Sequence, residues 1–552
     1  MKASTAIAKV LKMEGVEFIS LFPGGELDDA SVAITNEVAK IGIRTILTRQ
    51  ERVAVNIADG YTRVSRKPGV ALVTGGVGVE NAFSGLSQAF SDLVPMLLLA
   101  GQSPRTRIGS RPIQDFDSLF TLYKRTKWIE RINFAHRVPE LMRRAFTYLK
   151  TGRPSPVVLE IPSDVTHEEF EDSKFEYEPI PGWRSAGNPR DIKMVTKALL
   201  AAKNPLIYAG EGVFYAGGWE ELREFVELIQ APVMTSLKAK SVFPENHPLS
   251  VGIGGINAGG KPAAYFLRKA DFIFSIGASL TRGPGIPIPK GKVIVQSTID
   301  ESDLNKDYLA DFCIVGDAKL VLEQLIAEVK RQGGERPTKE ALIEEIREIK
   351  EEWLEEWMSK LTSNERPINP YRVIWDLRHA VDRTKTIVTH DAGGPREQLA
   401  SFYEAIIPRG YLGWGHHSTL GYSLGGSMGA KLAEPEKLVV NVMGDGGFGM
   451  VGMDFETAVR EKIPIMTIIL NNFGMGEYFE FTPTTSALSG DYAKVAEGLG
   501  GYSEKVEDPD EIIPAIKRAE KAINSGRPAL LEMITKVDLD YQSRYWTDLY
   551  KM

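Results

Sequence analysis

Over most of the 552 residues, short apolar runs alternate with stretches whose apolar side chains recur every three or four positions. "GVALV", "MLLLAG", "FIFSIG", "VVNVMG" and "IMTIIL" are continuous rather than alternating, as strands covered on both faces of a parallel sheet must be. The helical stretches between them predict strand–helix–strand units and an α/β fold of doubly wound, mostly parallel sheets. Two joints interrupt the pattern. The first, Ser163 to Asp191, is polar with several prolines; the second begins at "RQGGERPTKE" and ends at "TSNERPINP". Between those last two segments, Leu342, Ile346, Ile349, Trp353 and Trp357 recur at helical steps, which predicts one charged connecting helix. Three blocks result, 1–165, 188–332 and 365–552, in keeping with the domain count expected for this length.

The first and third blocks share an internal order. Gly69 to Gln102 runs strand, glycine loop, helix, proline, strand, and Val439 to Asn472 repeats it, with Pro464 standing where Pro95 stands. Any strand–helix–strand unit has this order, so the likeness is either generic or the mark of a duplicated fold sharing one ligand.

Composition narrows the function classes. A net charge of -7 without a basic stripe argues against nucleic acid or a membrane surface as partner. Cys313 is the only cysteine, which excludes an internal disulfide framework and a cysteine metal cluster and suits the cytoplasm. Lys9, Lys12 and Glu14 break the apolar N-terminus at helical spacing, so it reads as a first surface helix rather than a signal peptide. No apolar stretch is long enough to predict a membrane span.

The chemistry concentrates at two strand ends. One apolar run ends in Gly444-Asp445-Gly446-Gly447 and the next in Asn471-Asn472, with 27 positions from Asp445 to Asn472. Ligands of open parallel sheets lie outside the carboxyl ends of the strands, so adjacent strands would bring these side chains together. Asp445 offers a carboxylate, Asn472 an amide oxygen, and the backbone near Gly474 a carbonyl. The glycines let backbone N–H groups approach an anion. Hard oxygen ligands beside an anion suit Mg²⁺ bound to a di- or triphosphate.

This pair of motifs resembles the diphosphate-binding signature of the thiamine-diphosphate enzymes. Other segments extend the resemblance, in order, to the acetolactate synthase and 2-oxo acid decarboxylase superfamily: "LFPGGELDDA", "RQERVAVNIADGYTR", "GRPSPVVLEIPSDV", "PENHPLSVGIGG", "CIVGDAKLVL" and "GYSLGGSMGAKLA". It implies a pyrimidine-binding first domain, a Rossmann-like central domain and a diphosphate-binding third domain. It also implies that Gly444, Asp445, Gly446, Gly447, Asn472 and Gly474 hold thiamine diphosphate, with Asp445, Asn472 and Gly474 on Mg²⁺. Glu51 would be the catalytic carboxylic acid beside the cofactor's pyrimidine. Leu420 would support the bend between the two rings, with Met475 lining the same region. The first block of one subunit would face the third block of another, in a homodimer or a dimer of dimers.

The expected activity is acetolactate synthase-like, decarboxylating pyruvate or a similar 2-oxo acid and ligating the remainder to an acceptor carbonyl. A non-ligating 2-oxo acid decarboxylase and a 2-hydroxyacyl-CoA lyase are the alternatives. No well-placed G-x-G-x-x-G with a following acidic residue supports a dinucleotide oxidoreductase. Gly25, Gln114, His416 and His417 are the candidate substrate-pocket residues. Several synthase positions are altered here. Gln50 precedes Glu51 in place of histidine, "GVGVEN" stands for Gly-Pro-Gly-Ala-Thr-Asn, Ile113-Gln114-Asp115 for Phe-Gln-Glu, and "GGPREQ" for Gly-Gln-His-Gln. In the central block "FIFSIGASL" runs into "TRGPGIPIPKG" instead of the Arg-Phe-Asp-Asp-Arg of FAD-binding synthases, so FAD stays open but disfavoured.

Overall fold

A computed structural model describes residues 1–25, 29–282, 285–479, 482 and 484–551. Positions 26–28 of "LFPGGELDDA" and 283–284 of "TRGPGIPIPKG" fall outside the described residues.

The apolar runs form three six-stranded sheets. The first contains β1 (Phe18–Phe22), β2 (Arg44–Leu47), β3 (Val70–Val73), β4 (Leu97–Gln102), β5 (Trp128–Arg131) and β6 (Val157–Pro162), in the order β2-β1-β3-β4-β6-β5. The second contains β7 (Pro205–Ala209), β8 (Val233–Thr235), β9 (Ser250–Ile253), β10 (Phe272–Ile276), β11 (Val293–Thr298) and β12 (Phe312–Val315), in the order β12-β11-β10-β7-β8-β9. The third contains β13 (Thr386–His390), β14 (Tyr411–Leu412), β15 (Leu438–Gly444), β16 (Met466–Asn471), β17 (Tyr502–Val506) and β18 (Ala529–Ile534), in the order β14-β13-β15-β16-β18-β17. All their strand pairings are parallel. Every residue of β3, β4, β7, β10, β13 and β16 is buried, which is why these strands show no polar alternation.

The first and third sheets have the same topology, with β3 and β4 occupying the places of β15 and β16. The internal likeness between Gly69–Gln102 and Val439–Asn472 is therefore a repeated sheet plan and not one generic unit. The central sheet follows the dinucleotide-fold order instead.

Seven helices matter below: α1 (Ala3–Met13), α2 (Glu51–Ser65), α3 (Val77–Ser91), α4 (Glu340–Leu361), α5 (Tyr422–Ala433), α6 (Asp445–Val451) and α7 (Tyr492–Gly498). α1 buries Ala6, Ile7, Val10 and Leu11 and leaves Lys9 and Lys12 exposed, as its spacing predicts. α4 is the connecting helix. Its Ile346 joins the central core, while Trp357 and Leu361 join the third-block core and Trp353 stacks on Phe402 at 5.0 Å. Among the described residues no helix is long and apolar enough to cross a membrane.

First and third blocks meet through α2 and α5, which touch backbone to backbone. A Cβ on Gly60 would lie 2.2 Å from the Gly426 carbonyl oxygen, and one on Gly429 2.1 Å from that of Ile57. Only glycine allows this approach. Beside the crossing, Arg63 donates to Asp59 at 2.6 Å and to Asp92 at 3.1 Å, and the Tyr422 hydroxyl donates to Asp59 at 2.6 Å. All four side chains are buried.

Candidate active site

β15 and β16 pair in the register Gly444–Leu470, so both strands end at one level. Asp445 starts α6 directly after β15, and Asn472 follows β16. The Asp445 carboxylate is buried; its Oδ1 accepts the Gly446 N–H at 3.0 Å, while Oδ2 has no hydrogen-bond partner among the described residues. The Gly474 N–H donates to Asn472 Oδ1 at 3.2 Å and also faces the Asp445 carboxylate. Burial pushes the Asp445 carboxyl up to about 6, against the pull of the Gly446 and Gly474 N–H groups. The sulfur of Met475 lies over Gly446, 2.9 Å from where a Cβ would stand. Asp445, Gly446, Asn472, Gly474 and Met475 thus form one corner.

The two adjacent carboxamides do different work. Asn471 is buried: its Nδ2 donates to Glu532 Oε1 at 2.7 Å, and its Oδ1 accepts the Phe473 N–H at 3.0 Å. Glu532, buried in the middle of β18, also accepts the Ala493 N–H of α7 at 2.9 Å through Oε2. Asn471 therefore fastens the turn from behind, and Asn472 accepts the Gly474 N–H. Sequence reasoning missed Glu532. Its signal was a lone carboxylate within the apolar run "ALLEMI", since a buried charge needs a partner.

An acceptor-only oxygen that is buried and unpaired calls for a cation. Among the described residues no three His, Cys, Asp or Glu side chains group to hold a metal. One carboxylate, one carboxamide and a carbonyl, completed by phosphate and water oxygens, is a donor set that Mg²⁺ takes and softer metals do not favour. Gly444 adds open backbone, since a Cβ there would have 3.8 Å to Pro395, its nearest neighbour, whereas Gly447 is close-packed, a Cβ there lying 2.7 Å from Asp391. The residues fit a magnesium diphosphate.

Three family models match the chain, one in the region of each sheet. The model described as "Thiamine pyrophosphate enzyme, N-terminal TPP binding domain" matches residues 1–120, the central domain of the same enzymes 192–325, and their C-terminal TPP binding domain 391–533. Along its length the chain is 32% identical to a probable acetolactate synthase large subunit of Methanocaldococcus jannaschii, covering 97% of this chain and 92% of that one. The chain belongs to the thiamine pyrophosphate enzyme family. It is also 28% identical to the acetolactate synthase isozyme 3 large subunit of Escherichia coli K12, over 97% of this chain and 94% of the relative. A glyoxylate carboligase of Escherichia coli O157:H7 is 28% identical, over 97% and 93%.

The other candidate residues of this thiamine pyrophosphate enzyme sit in different parts of the fold. Leu420 is half-buried and packs on Ala392, Trp414 and Tyr422. Its turn approaches α6, because a Cβ on the next residue, Gly421, would lie 3.3 Å from the Gly447 carbonyl oxygen. Asp391 holds that turn, accepting the Gly421 N–H at 2.9 Å and the Ser423 N–H at 3.0 Å. Glu51, buried at the start of α2, accepts Asn81 Nδ2 at 3.1 Å. Among the described residues no hydrogen bond joins Glu51 to the Asp445–Asn472 corner, although its neighbours reach the third block: the Arg49 N–H donates to Asp454 at 2.8 Å.

The four substrate-pocket candidates divide into two groups. The Thr74 hydroxyl donates to Asp29 at 2.6 Å and lies 3.2 Å from Gln114 Oε1, close to Gly24 and the exposed Gly25. His416 is exposed, lies on the loop leading to Leu420 and faces a cavity of about 530 Å³ where the three blocks meet. His417, half-buried, accepts the Thr419 N–H at 2.6 Å through its carbonyl. The cavity is lined also by Arg66, Arg153, Trp183, Lys238, Gly254 and Gly255, the last two just after β9.

Proposed function

We propose that the chain is a carboligase of the acetolactate synthase type, dependent on thiamine diphosphate and Mg²⁺. It removes carbon dioxide from pyruvate or a similar 2-oxo acid and joins the remaining acyl carbon to the carbonyl carbon of an acceptor. The observation that carries this reading is the corner at Asp445 and Asn472, whose buried oxygen lacks a partner inside the C-terminal TPP binding domain. Full-length likeness to acetolactate synthase large subunits supports ligation over simple decarboxylation.

When bound, the cofactor supplies a carbon nucleophile that adds to the substrate carbonyl and accommodates the electron pair left by carbon dioxide. Asp445, Asn472 and the Gly474 carbonyl would hold Mg²⁺, with the Gly446 and Gly447 N–H groups toward the diphosphate. Leu420, braced by Trp414 and Tyr422, would support the folded cofactor from below, with Met475 beside it. Glu51 would give a proton to the cofactor's pyrimidine nitrogen and take it back, its carboxyl oriented by Asn81 through one oxygen.

For that, Glu51 of one copy faces the corner of a second copy, in a homodimer or a dimer of dimers. Exposed apolar side chains suit such an interface: Val77, Ile113 and Phe120 on the first block, and Met450, Met453 and Phe473 on the third. Domain limits of 1–165, 188–332 and 365–552 and a cytoplasmic location belong to the same proposal. FAD is not needed for this chemistry. The three-block cavity is where it would lie, and a flavin absorption band in the purified protein would add it.

The test is to supply the purified protein, thiamine diphosphate and Mg²⁺ with pyruvate, glyoxylate and other 2-oxo acids, and to identify products by mass spectrometry. Ligated 2-hydroxy-3-oxo products are expected. Aldehyde alone would replace the proposal with a decarboxylase, and cleavage of 2-hydroxyacyl-CoA thioesters with a lyase.

A further inference from the structure

The loop Gly413–Gly421 carries Leu420 and has no regular secondary structure. Its exit is fastened by Asp391 at Gly421 and Ser423. Its entry is fastened from another block. Asp92, the residue that ends α3 in the first block, accepts the Gly415 N–H at 3.2 Å and the His416 N–H at 3.1 Å. Arg63, also from the first block, donates to the Gly413 carbonyl at 2.9 Å.

Asp92 is fully buried and well supplied with donors. Gln88 Nε2 donates to it at 2.6 Å and Arg63 Nη2 at 3.1 Å, with Lys238 Nζ from the central block 3.8 Å away. Lys238 is itself paired with Glu211 at 3.2 Å. Burial alone would raise the Asp92 carboxyl, but Lys238 and Arg63 outweigh it and hold the group well below the usual carboxylate range. The two loop N–H groups are its only backbone donors from the third block among the described residues. The approach is tight: a Cβ on Gly415 would lie 2.4 Å from Lys238 Cγ.

We propose that Asp92 is a positioning residue that, by clamping Gly415 and His416 across the block junction, sets the height of Leu420 beneath the bend of the cofactor. The inference rests on the role given to Leu420 above. Between the Asp92 clamp and the Asp391 clamp lie only His417 to Leu420, so a shift of the entry is passed to Leu420 instead of being absorbed. Displacements near 1 Å of a supporting group cost up to about 100-fold in rate while leaving distant binding contacts intact.

Asp92→Asn keeps the size but turns one acceptor into a donor facing N–H groups. Expected are a fall in kcat of about 10- to 100-fold, binding of Mg–thiamine diphosphate within about threefold of the parent, and an altered near-ultraviolet circular dichroism of the bound cofactor. Leu420→Ala is expected to show the same split, and the double variant to be no slower than the slower single, because both act through one geometry. Effects that multiply in the double variant, or an unchanged dichroism with lowered kcat, overturn the proposal for Asp92. If Leu420→Ala leaves kcat unchanged, the role of Leu420 fails and the inference falls with it. Should Asp92→Asn not fold, Gln88→Leu loosens the same carboxylate without removing its charge. A fall of about threefold in kcat at unchanged cofactor affinity is then expected, and an unchanged kcat overturns the proposal.

Discussion

Replacing Glu532 by glutamine should weaken cofactor binding, although Glu532 touches neither metal nor phosphate in the proposed site. The carboxylate accepts two donors, Asn471 Nδ2 at 2.7 Å and the Ala493 N–H at 2.9 Å. Glutamine keeps one acceptor and brings an NH₂ against the other donor. The Ala493 N–H belongs to the backbone and cannot turn away. Asn471 could flip its amide, but its Oδ1 already accepts the Phe473 N–H at 3.0 Å, so flipping moves the donor–donor conflict there. One hydrogen bond to a charged group is lost in every arrangement, worth about 2 kcal/mol in a buried setting. The free turn can relax to escape the conflict, whereas the turn that grips a magnesium diphosphate cannot. The loss therefore appears in binding, about 30-fold in Kd at about 1.4 kcal/mol per tenfold. Removing the negative charge beside Asp445 weakens the attraction for a cation further. Calorimetric titration of Mg–thiamine diphosphate into cofactor-free Glu532→Gln measures this directly, with a thermal melt as companion. A Kd within twofold of the parent together with a lowered melting temperature would refute the reasoning, because Glu532 would then only support the fold.

Other perturbations follow from the same geometry. Glu51→Gln should leave affinity for thiamine diphosphate largely intact and lower kcat by about 100-fold or more in steady-state assays; equal turnover would remove Glu51 from proton transfer. Gly429→Ala places a Cβ 2.1 Å from the Ile57 carbonyl oxygen at the α2–α5 crossing, and should cost about 1–3 kcal/mol in denaturant unfolding. Burial raises the Asp454 carboxyl to about 6 from 3.8, so the folded state prefers it protonated. Stability from this group is complete below pH 4 and is lost as pH rises through 6, by about 3 kcal/mol at 1.36 kcal/mol per pH unit. Asp454→Asn, which keeps acceptors for the Arg49 N–H and the Thr457 hydroxyl, should therefore raise the melting temperature relative to the parent about twice as much at pH 8 as at pH 5. An equal shift at both pH values would show that ionisation of Asp454 is not what the fold works against.

Much of this protein is written in short-range signals. Continuous apolar runs specify parallel strands, the glycine corner at Gly444–Gly447 marks a strand end, and helical spacing through Trp357 marks the connecting helix. Each depends on neighbours within one or two turns of chain, so each is legible without the fold. That Asp445 and Asn472 follow the ends of neighbouring strands was legible too, because one crossover joins adjacent parallel strands. The tertiary structure alone decided which buried charges meet. Asp92 and Gly415 are 323 positions apart, and Asn471 and Glu532 are 61 apart. No periodicity encodes such pairs, since a buried carboxylate announces only that it needs a donor and not which one. Low dielectric makes that need costly to leave unmet, so once the blocks pack, these few contacts settle where the local signals are placed in space.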